Sequence, residues 1–149
     1  MREEEKLIGD YTQNTSITNK TRSSMILLIE RLGENKGYTI DTIFLAISLL
    51  DRYLAISEQG KRVSCLGTIA VSCLLIAAKV EEAIIPSYKN MCNLLTKLQL
   101  VTIKPSQICA CEKHILIALD FSVRNVSSIN FLERFLRLYG LDKGKETSP

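Results

Sequence analysis

Hydrophobic residues recur along this chain every three or four positions, the spacing that places side chains on one face of an α-helix. No segment alternates hydrophobic and polar residues for long enough to indicate a β-strand. The pattern predicts helices over residues 20–34, 40–57, 62–82, 86–97 and 105–119, and a last helix capped by Ser127 or Ser128. The predicted fold class is therefore all-α.

The third predicted helix differs from the others in its composition. Eleven of the fourteen residues over 65–78 are apolar, and they cover every face of the helix. A helix that is apolar all round is normally buried on all sides. We therefore expect it to be the central and least exposed helix. It is shorter than the roughly 20 residues that a membrane span needs, so no membrane partner is expected.

The organisation of the chain follows from the positions of these segments. We divide it into a polar N-terminal arm over residues 1–19, a helical domain over 20–126, and a C-terminal helix with a polar tail over 127–149. The length of 149 residues is that of one domain, and a hydrophobic fraction of 46% can supply its core. No apolar stretch follows the charged N-terminus, so we expect no signal peptide.

The net charge of +3 is too small to indicate nucleic-acid binding, and no nucleic-acid partner is expected. The number of cysteines is odd, no C-x-x-C pair occurs, and the chain has one histidine, which argues against a zinc site. We predict reduced cysteines, no metal, and a nuclear or cytoplasmic location. The cysteines are Cys65, Cys73, Cys92, Cys109 and Cys111.

The sequence lacks the motifs of known catalytic sites: the nucleophile elbow, the phosphate-binding glycine loop and the zinc-protease helix. His114 lies one turn before a predicted helix end, where it can complement the helix dipole. Glu81 and Glu82 are neighbours, so they point apart on a helix and are expected to be solvated. We predict that the chain is not an enzyme and needs no cofactor.

Two charged residues stand out from their surroundings. Lys79 directly follows the apolar run of the third helix, and Glu112 lies inside an otherwise apolar helix. Charged side chains on such elements are usually paired or used in binding. These two residues are therefore candidates for a binding site.

Four blocks of the sequence resemble the cyclin family. Residues 50–54 (LDRYL) are similar to the cyclin block "(L/I)DR(F/Y)L", and residues 74–82 (LLIAAKVEE) are similar to "LLIASK(F/Y)EE". Residues 112–123, which begin at Glu112, resemble "ME..IL..L.F.L". Residues 21–25 (TRSSM) fall where cyclins have "MRAIL". The blocks occur in the family's order between residues 17 and 139.

This resemblance implies a cyclin box, a five-helix fold around a central apolar helix, which binds and activates a cyclin-dependent protein kinase. By resemblance, Lys79 and Glu112 hydrogen-bond the backbone of the kinase's regulatory helix. By the same resemblance, Arg22 and Asp51 form a buried ion pair that joins the first helix to the second. The apolar residues that the resemblance places in the kinase interface are Val80, Leu116, Phe121 and Val123.

The family's groove for docking kinase substrates corresponds here to Met25, Leu28 and Leu66. Two of its apolar positions are Thr21 and Ser24 in this chain, so the resemblance predicts a degraded groove. The alternative, in which Met25 and Leu28 are only core residues, has at least equal weight.

Because one fold hosts many functions, two other hypotheses stay open. One is a cyclin-fold adaptor that engages no kinase, and the other is a structural subunit of a large assembly. Lys79 and Glu112 favour the kinase regulator, because an adaptor has no reason to keep both. The resemblance is compatible with a one-box cyclin and with part of a two-box one.

Overall fold

The computed structural model describes residues 19–56, 66–124 and 128–140, and the side chains of residues 128–130 are not described. Within these ranges the chain forms six helices and no strand, which confirms the all-α prediction. The helices are α1 (Asn19–Lys36), α2 (Ile40–Ile56), α3 (Leu66–Glu81), α4 (Tyr88–Lys97), α5 (Pro105–Ala118) and α6 (Ser128–Leu138). Nearly all of the predicted N-terminal arm, together with Cys65 and the end of the polar tail, lies outside the described residues. The proposed domain boundaries stay a prediction.

Two glycines shape the junction between α1 and α2. Gly37 has a φ of 68°, a left-handed conformation that glycine adopts at low cost, and it reverses the chain after α1. The Tyr38 amide donates to the Gly33 carbonyl at 2.9 Å across this turn. A Cβ on Gly33 would lie 3.0 Å from the Ile43 side chain, so the close approach of α1 and α2 requires glycine there.

Helix α3 is the centre of the fold, as its composition predicts. All of its residues from Leu66 to Ala78 are buried except the half-buried Gly67 and Thr68. It packs against α1, α2 and α5. Each large apolar side chain buried in this way contributes about 1.5–3 kcal/mol of transfer free energy. Lys79 follows at the point where α3 leaves this packed environment.

Helices α4 and α5 differ in how closely they follow the prediction. Helix α4 begins at Tyr88, two residues later than expected, because Ser87 has an extended backbone. Helix α5 begins at Pro105 as predicted. Proline has no backbone N–H, but the first N–H group of a helix has no hydrogen-bond partner within the helix, so nothing is lost there. Two residues with left-handed φ values, Asp120 at 51° and Phe121 at 55°, terminate α5.

Helix α6 is appended to the body formed by α1–α5, and none of its described residues is buried. Its apolar side chains stay on the surface, with exposed fractions of 64% for Phe131 and 77% for Leu138. The rings of Phe135 and Tyr139 contact each other at a centroid distance of 4.4 Å.

Candidate partner-binding site

Lys79 and Glu112 lie in direct contact, and we call them the polar pair. The Lys79 Nζ lies 2.8 Å from Glu112 Oε2 and 3.0 Å from Oε1. Lys79 comes from the last turn of α3 and Glu112 from the middle of α5, and these helices pack against each other. The two charges therefore pair with each other across the contact between α3 and α5.

The burial of the polar pair is uneven. The Lys79 side chain is 32% exposed, whereas that of Glu112 is only 6% exposed. From the proposed role in binding, both charges are expected at an exposed or half-exposed edge, which is true of Lys79 and wrong for Glu112. The carboxylate can be buried because both of its oxygens accept hydrogen bonds, which offset the loss of hydration.

Tyr88 is a third member of this site, and it was not predicted from the sequence. Its hydroxyl donates to Glu112 Oε2 at 2.5 Å and accepts from Lys79 Nζ at 2.9 Å. The Lys79 ammonium also lies 4.6 Å from the centre of the Tyr88 ring, a cation–π arrangement. A tyrosine at a helix start carries no sequence signal for this contact, which depends on how α4 packs.

The electrostatics of the three groups reinforce one another. Burial by itself would lower the pKa of Lys79, but hydrogen bonds to Glu112 and Tyr88 outweigh it and the pKa is raised. The hydrogen bond to Glu112 is the main cause that raises the pKa of Tyr88. Lys79 is therefore held as a cation and Tyr88 as a neutral hydrogen-bond donor.

Four apolar residues are expected around the polar pair, and we call them the apolar floor: Val80, Leu116, Phe121 and Val123. They differ in exposure. Val80, Leu116 and Val123 are half-buried and pack against the core, whereas Phe121 is 67% exposed. Two residues of the α3–α4 connection that sequence reasoning missed are still more exposed, Ile84 at 84% and Ile85 at 70%. The site thus combines one cation and one anion with exposed apolar surface.

The predicted ion pair between Arg22 and Asp51 is present. Arg22 Nε and Nη2 donate to the two Asp51 carboxylate oxygens, each at 2.7 Å, in a bidentate arrangement. The side chains are 27% and 17% exposed, so the pair that was predicted to be buried is only partly buried. Arg22 lies in the first turn of α1, where solvent still reaches its side chain.

The family model "Cyclin, N-terminal domain" matches residues 1–124 of this chain. The chain belongs to the cyclin family. It is 31% identical to "Cyclin-D2-1" of Oryza sativa subsp. japonica over 130 residues, 85% of this chain and 40% of that relative. It is 33% identical to "G2/mitotic-specific cyclin-B" of Marthasterias glacialis over 146 residues, 95% of this chain and 35% of that relative. The match to "Putative cyclin-A3-1" of Arabidopsis thaliana is 32% over 132 residues, 87% and 35% of the two chains. The chain spans 35% to 40% of the length of these relatives.

The segment that follows α5 in this cyclin-family chain is fastened by two arginines. Arg52 Nη2 donates to the Ser122 carbonyl at 2.6 Å, and its Nη1 lies 3.5 Å from the Val123 carbonyl. Arg124 donates to the Val80 carbonyl at 3.4 Å. These contacts tie residues 122–124 to α2 and α3. Sequence reasoning assigned Asp51 of the LDRYL block and overlooked Arg52 beside it.

Glu82 connects the end of α3 to the start of α2. Its Oε1 accepts from the Thr39 amide at 2.7 Å and from the Thr42 hydroxyl at 2.6 Å. Burial would raise the pKa of Glu82, but the hydrogen bonds from Thr42 and Thr39 lower it below its usual value. Glu82 therefore caps α2, a role that the sequence did not predict, although its side chain stays accessible to solvent. Glu81 points elsewhere, with Oε1 3.7 Å from Arg124 Nη2, as neighbours on a helix should.

A groove of about 390 Å³ lies where the resemblance places substrate docking. It includes the three predicted residues, of which Met25 and Leu66 are buried and Leu28 is half-buried. Leu100 and Val101, from the connection between α4 and α5, also line it and were not predicted. The full lining is Thr21, Ser24, Met25, Leu27, Leu28, Arg31, Leu66, Gly67, Leu100 and Val101.

The cysteines of the described residues differ widely in environment. Cys73 is fully buried and Cys109 is exposed, and both are free thiols. Burial raises the pKa of Cys73 well above its usual value, so its thiol stays protonated. Over the described ranges no three His, Cys, Asp or Glu side chains are grouped to hold a metal. Nor does that part of the chain contain a helix long and apolar enough to cross a membrane.

Proposed function

We propose that this chain is a regulatory subunit that binds a cyclin-dependent protein kinase and activates it by clamping the kinase's regulatory helix. The observation that carries the proposal is the polar pair, Lys79 beside Glu112, at the edge of a cyclin-family fold. The names of the relatives extend this proposal to a role in the cell cycle.

The chemistry of the site suits the backbone of a helix end. The Lys79 ammonium is a donor that can reach carbonyl oxygens, and the Glu112 carboxylate is an acceptor for amide N–H groups. Val80, Leu116 and Phe121 offer apolar area beside these polar contacts. A combination of a few polar anchors with apolar surface is the usual composition of a specific protein interface.

Activation follows from binding one conformation of the kinase better than the other. A protein kinase is active when the lysine of its third strand pairs with the glutamate of its αC helix. A partner that binds only the inward position of that helix shifts the kinase toward the active state. In this proposal the catalytic groups belong to the kinase, and the chain itself is not an enzyme.

The experiment combines binding and activation with purified components. Titration of a purified cyclin-dependent kinase with this chain should give saturable binding, and phosphorylation of a short peptide should rise in parallel with the bound fraction. An adaptor or structural subunit would leave the kinase activity unchanged at every concentration. Binding without activation would refute the clamping mechanism.

The groove around Met25, Leu28 and Leu66 supports a second function of the same subunit. We propose that it receives an apolar segment of the kinase's protein substrates, because its lining is mostly apolar. Leu28→Asp should then raise the KM for a protein substrate and leave the activity toward a short peptide unchanged. Equal KM values for the variant and the wild type would exclude docking here.

The location in the nucleus or cytoplasm is part of this proposal, since a kinase regulator must meet its kinase there. Imaging of a fluorescently tagged chain in cells tests it. A signal confined to the secretory pathway would contradict both the location and the proposed partner.

A further inference from the structure

Tyr88 covers the polar pair from the first residue of α4. Its hydroxyl contacts both Glu112 Oε2 and Lys79 Nζ, and its ring lies beside the Lys79 ammonium. Tyr88 belongs neither to α3 nor to α5, so its contact with the pair depends on the position of a third element.

Because Tyr88 and Lys79 lie over Glu112, little of its side chain is accessible to a partner. Its side chain is 6% exposed, Oε1 accepts from Lys79, and Oε2 accepts from both Lys79 and Tyr88. The carboxylate oxygens have lone pairs left for a further donor, but the side chain is buried beneath Lys79 and Tyr88, so an amide N–H of a partner can reach it only if one of these two side chains moves. Lys79 bonds both oxygens, whereas Tyr88 bonds one, so moving Tyr88 breaks fewer hydrogen bonds to the carboxylate than moving Lys79 does.

Tyr88 is half-buried and packs against the edge of the core, but the segment that leads into it is weakly held. Ser87 stands at the N-cap of α4 but makes no side-chain capping bond, and α4 has only ten residues. The preceding loop carries the highly exposed Ile84 and Ile85, so little packing holds it. Helix ends with few buried contacts open at low free energy.

We infer that Tyr88 is a gate residue: in the free chain its hydroxyl occupies the place on Glu112 that a backbone donor of the partner takes in the complex. The inference rests on the proposed function of the polar pair. A binding-competent state that is populated only in part weakens the apparent affinity by that fraction. From the usual net strength of one hydrogen bond, we expect the closed gate to weaken binding about threefold to tenfold.

The occlusion can be tested on the free chain, without any partner. A water-soluble carbodiimide with glycine ethyl ester labels accessible carboxylates, and mass spectrometry of the peptide that contains Glu112 measures the labelling. Relative to the exposed Glu133, labelling of Glu112 should rise at least about threefold in Tyr88→Phe and more in Tyr88→Ala. Tyr139→Phe, which removes an exposed hydroxyl outside the cluster, is the control and should match the wild type. Unchanged labelling in both Tyr88 variants overturns the inference.

The effect on the partner is measured with a purified cyclin-dependent kinase. Tyr88→Phe retains the ring and should bind about threefold to tenfold more tightly than the wild type. If Tyr88→Phe binds the kinase more weakly than the wild type does, Tyr88 is not a gate residue. If Glu112→Ala has lost binding in the same series, the proposed function of the polar pair is nevertheless retained. If Glu112→Ala binds the kinase with wild-type affinity, the proposed function of the polar pair is wrong. The inferred role of Tyr88 is then wrong as well. The melting temperature of each variant shows that the fold is retained.

Discussion

The Lys79 Nζ lies 2.8 Å from Glu112 Oε2, although 33 residues separate them in the chain. The contact joins the end of the central helix α3 to the middle of α5. It has two consequences that experiments can separate, one for stability and one for binding. The buried carboxylate needs a donor in the folded state, and the same two groups are the proposed anchors for the kinase.

Single substitutions of the polar pair should affect both properties. Lys79→Ala leaves the Glu112 carboxylate buried with fewer donors, which should lower the free energy of unfolding by about 1–3 kcal/mol. Loss of a central anchor should weaken kinase binding about thirtyfold, equivalent to roughly 2 kcal/mol. Chemical denaturation and calorimetric titration measure the two effects. Lys89→Ala, which removes an exposed lysine of α4, is the control.

The double variant Lys79→Met with Glu112→Leu separates the two effects more sharply. Replacing both partners of an ion pair by apolar residues of similar size leaves no buried charge and is often neutral for stability. Its free energy of unfolding should therefore lie within about 1 kcal/mol of that of the wild type. Its affinity for the kinase should still be about thirtyfold lower. Full affinity in this stable variant would mean that the pair only joins α3 to α5.

Arg22→Ala tests the ion pair between α1 and α2. It removes two charge-assisted hydrogen bonds from Asp51, whose side chain is 17% exposed. Because solvent still reaches the site, we expect a loss of about 1–3 kcal/mol rather than the larger cost of breaking a fully buried pair. Thermal unfolding measures it, with the exposed Arg31→Ala as control. A variant that melts like the wild type would show that the pair contributes nothing to stability.

Arg52→Ala tests how residues 122–124 are held. Without the bonds to the Ser122 and Val123 carbonyls, the amide of Val123 should exchange its hydrogen faster with solvent. The neighbouring Phe121 is part of the apolar floor, so kinase affinity should fall about fivefold. Arg52→Lys keeps one donor and should recover part of both losses. Exchange at the wild-type rate in Arg52→Ala would contradict this anchoring.

Glu82 makes the stability depend on pH in a defined direction. Hydrogen bonds from Thr42 and Thr39 hold its folded-state pKa below the usual 4.5. A carboxylate with a lowered folded-state pKa stabilises the fold fully above its unfolded pKa. That contribution is lost as the pH falls below 4.5 toward the folded-state pKa. In Glu82→Gln the difference in unfolding free energy between pH 6 and pH 3 should shrink.

The control for this pH dependence is Glu133→Gln, which alters an exposed carboxylate of α6. It should retain the wild-type difference between the two pH values. An identical pH profile for Glu82→Gln and the wild type would show that the cap on α2 contributes no stability.

Much of the fold was determined by the sequence alone, because helical periodicity is a local property. The start of α5 at Pro105, the end of α1 near Gly37 and the burial of α3 each follow from residues within a few positions of one another. The resemblance to cyclins also singled out Lys79 and Glu112, though as groups that bind the kinase and not as an ion pair with each other, and it added the ion pair between Arg22 and Asp51. Of these, only the contact between Arg22 and Asp51 was predicted as a pair.

What only the tertiary structure decided are contacts between distant residues that no pattern links. The Tyr88 hydroxyl lies on Glu112, 24 positions away, and Arg52 reaches the carbonyl of Ser122, 70 positions away. The burial of Glu112 depends in turn on Tyr88 and Lys79 covering it. Such partners are set by how α2, α3, α4 and α5 pack together, because a few degrees of helix orientation decide which side chains meet. A periodic pattern predicts which face of a helix is buried. Which polar groups of other helices contact that face is decided only by how the helices pack.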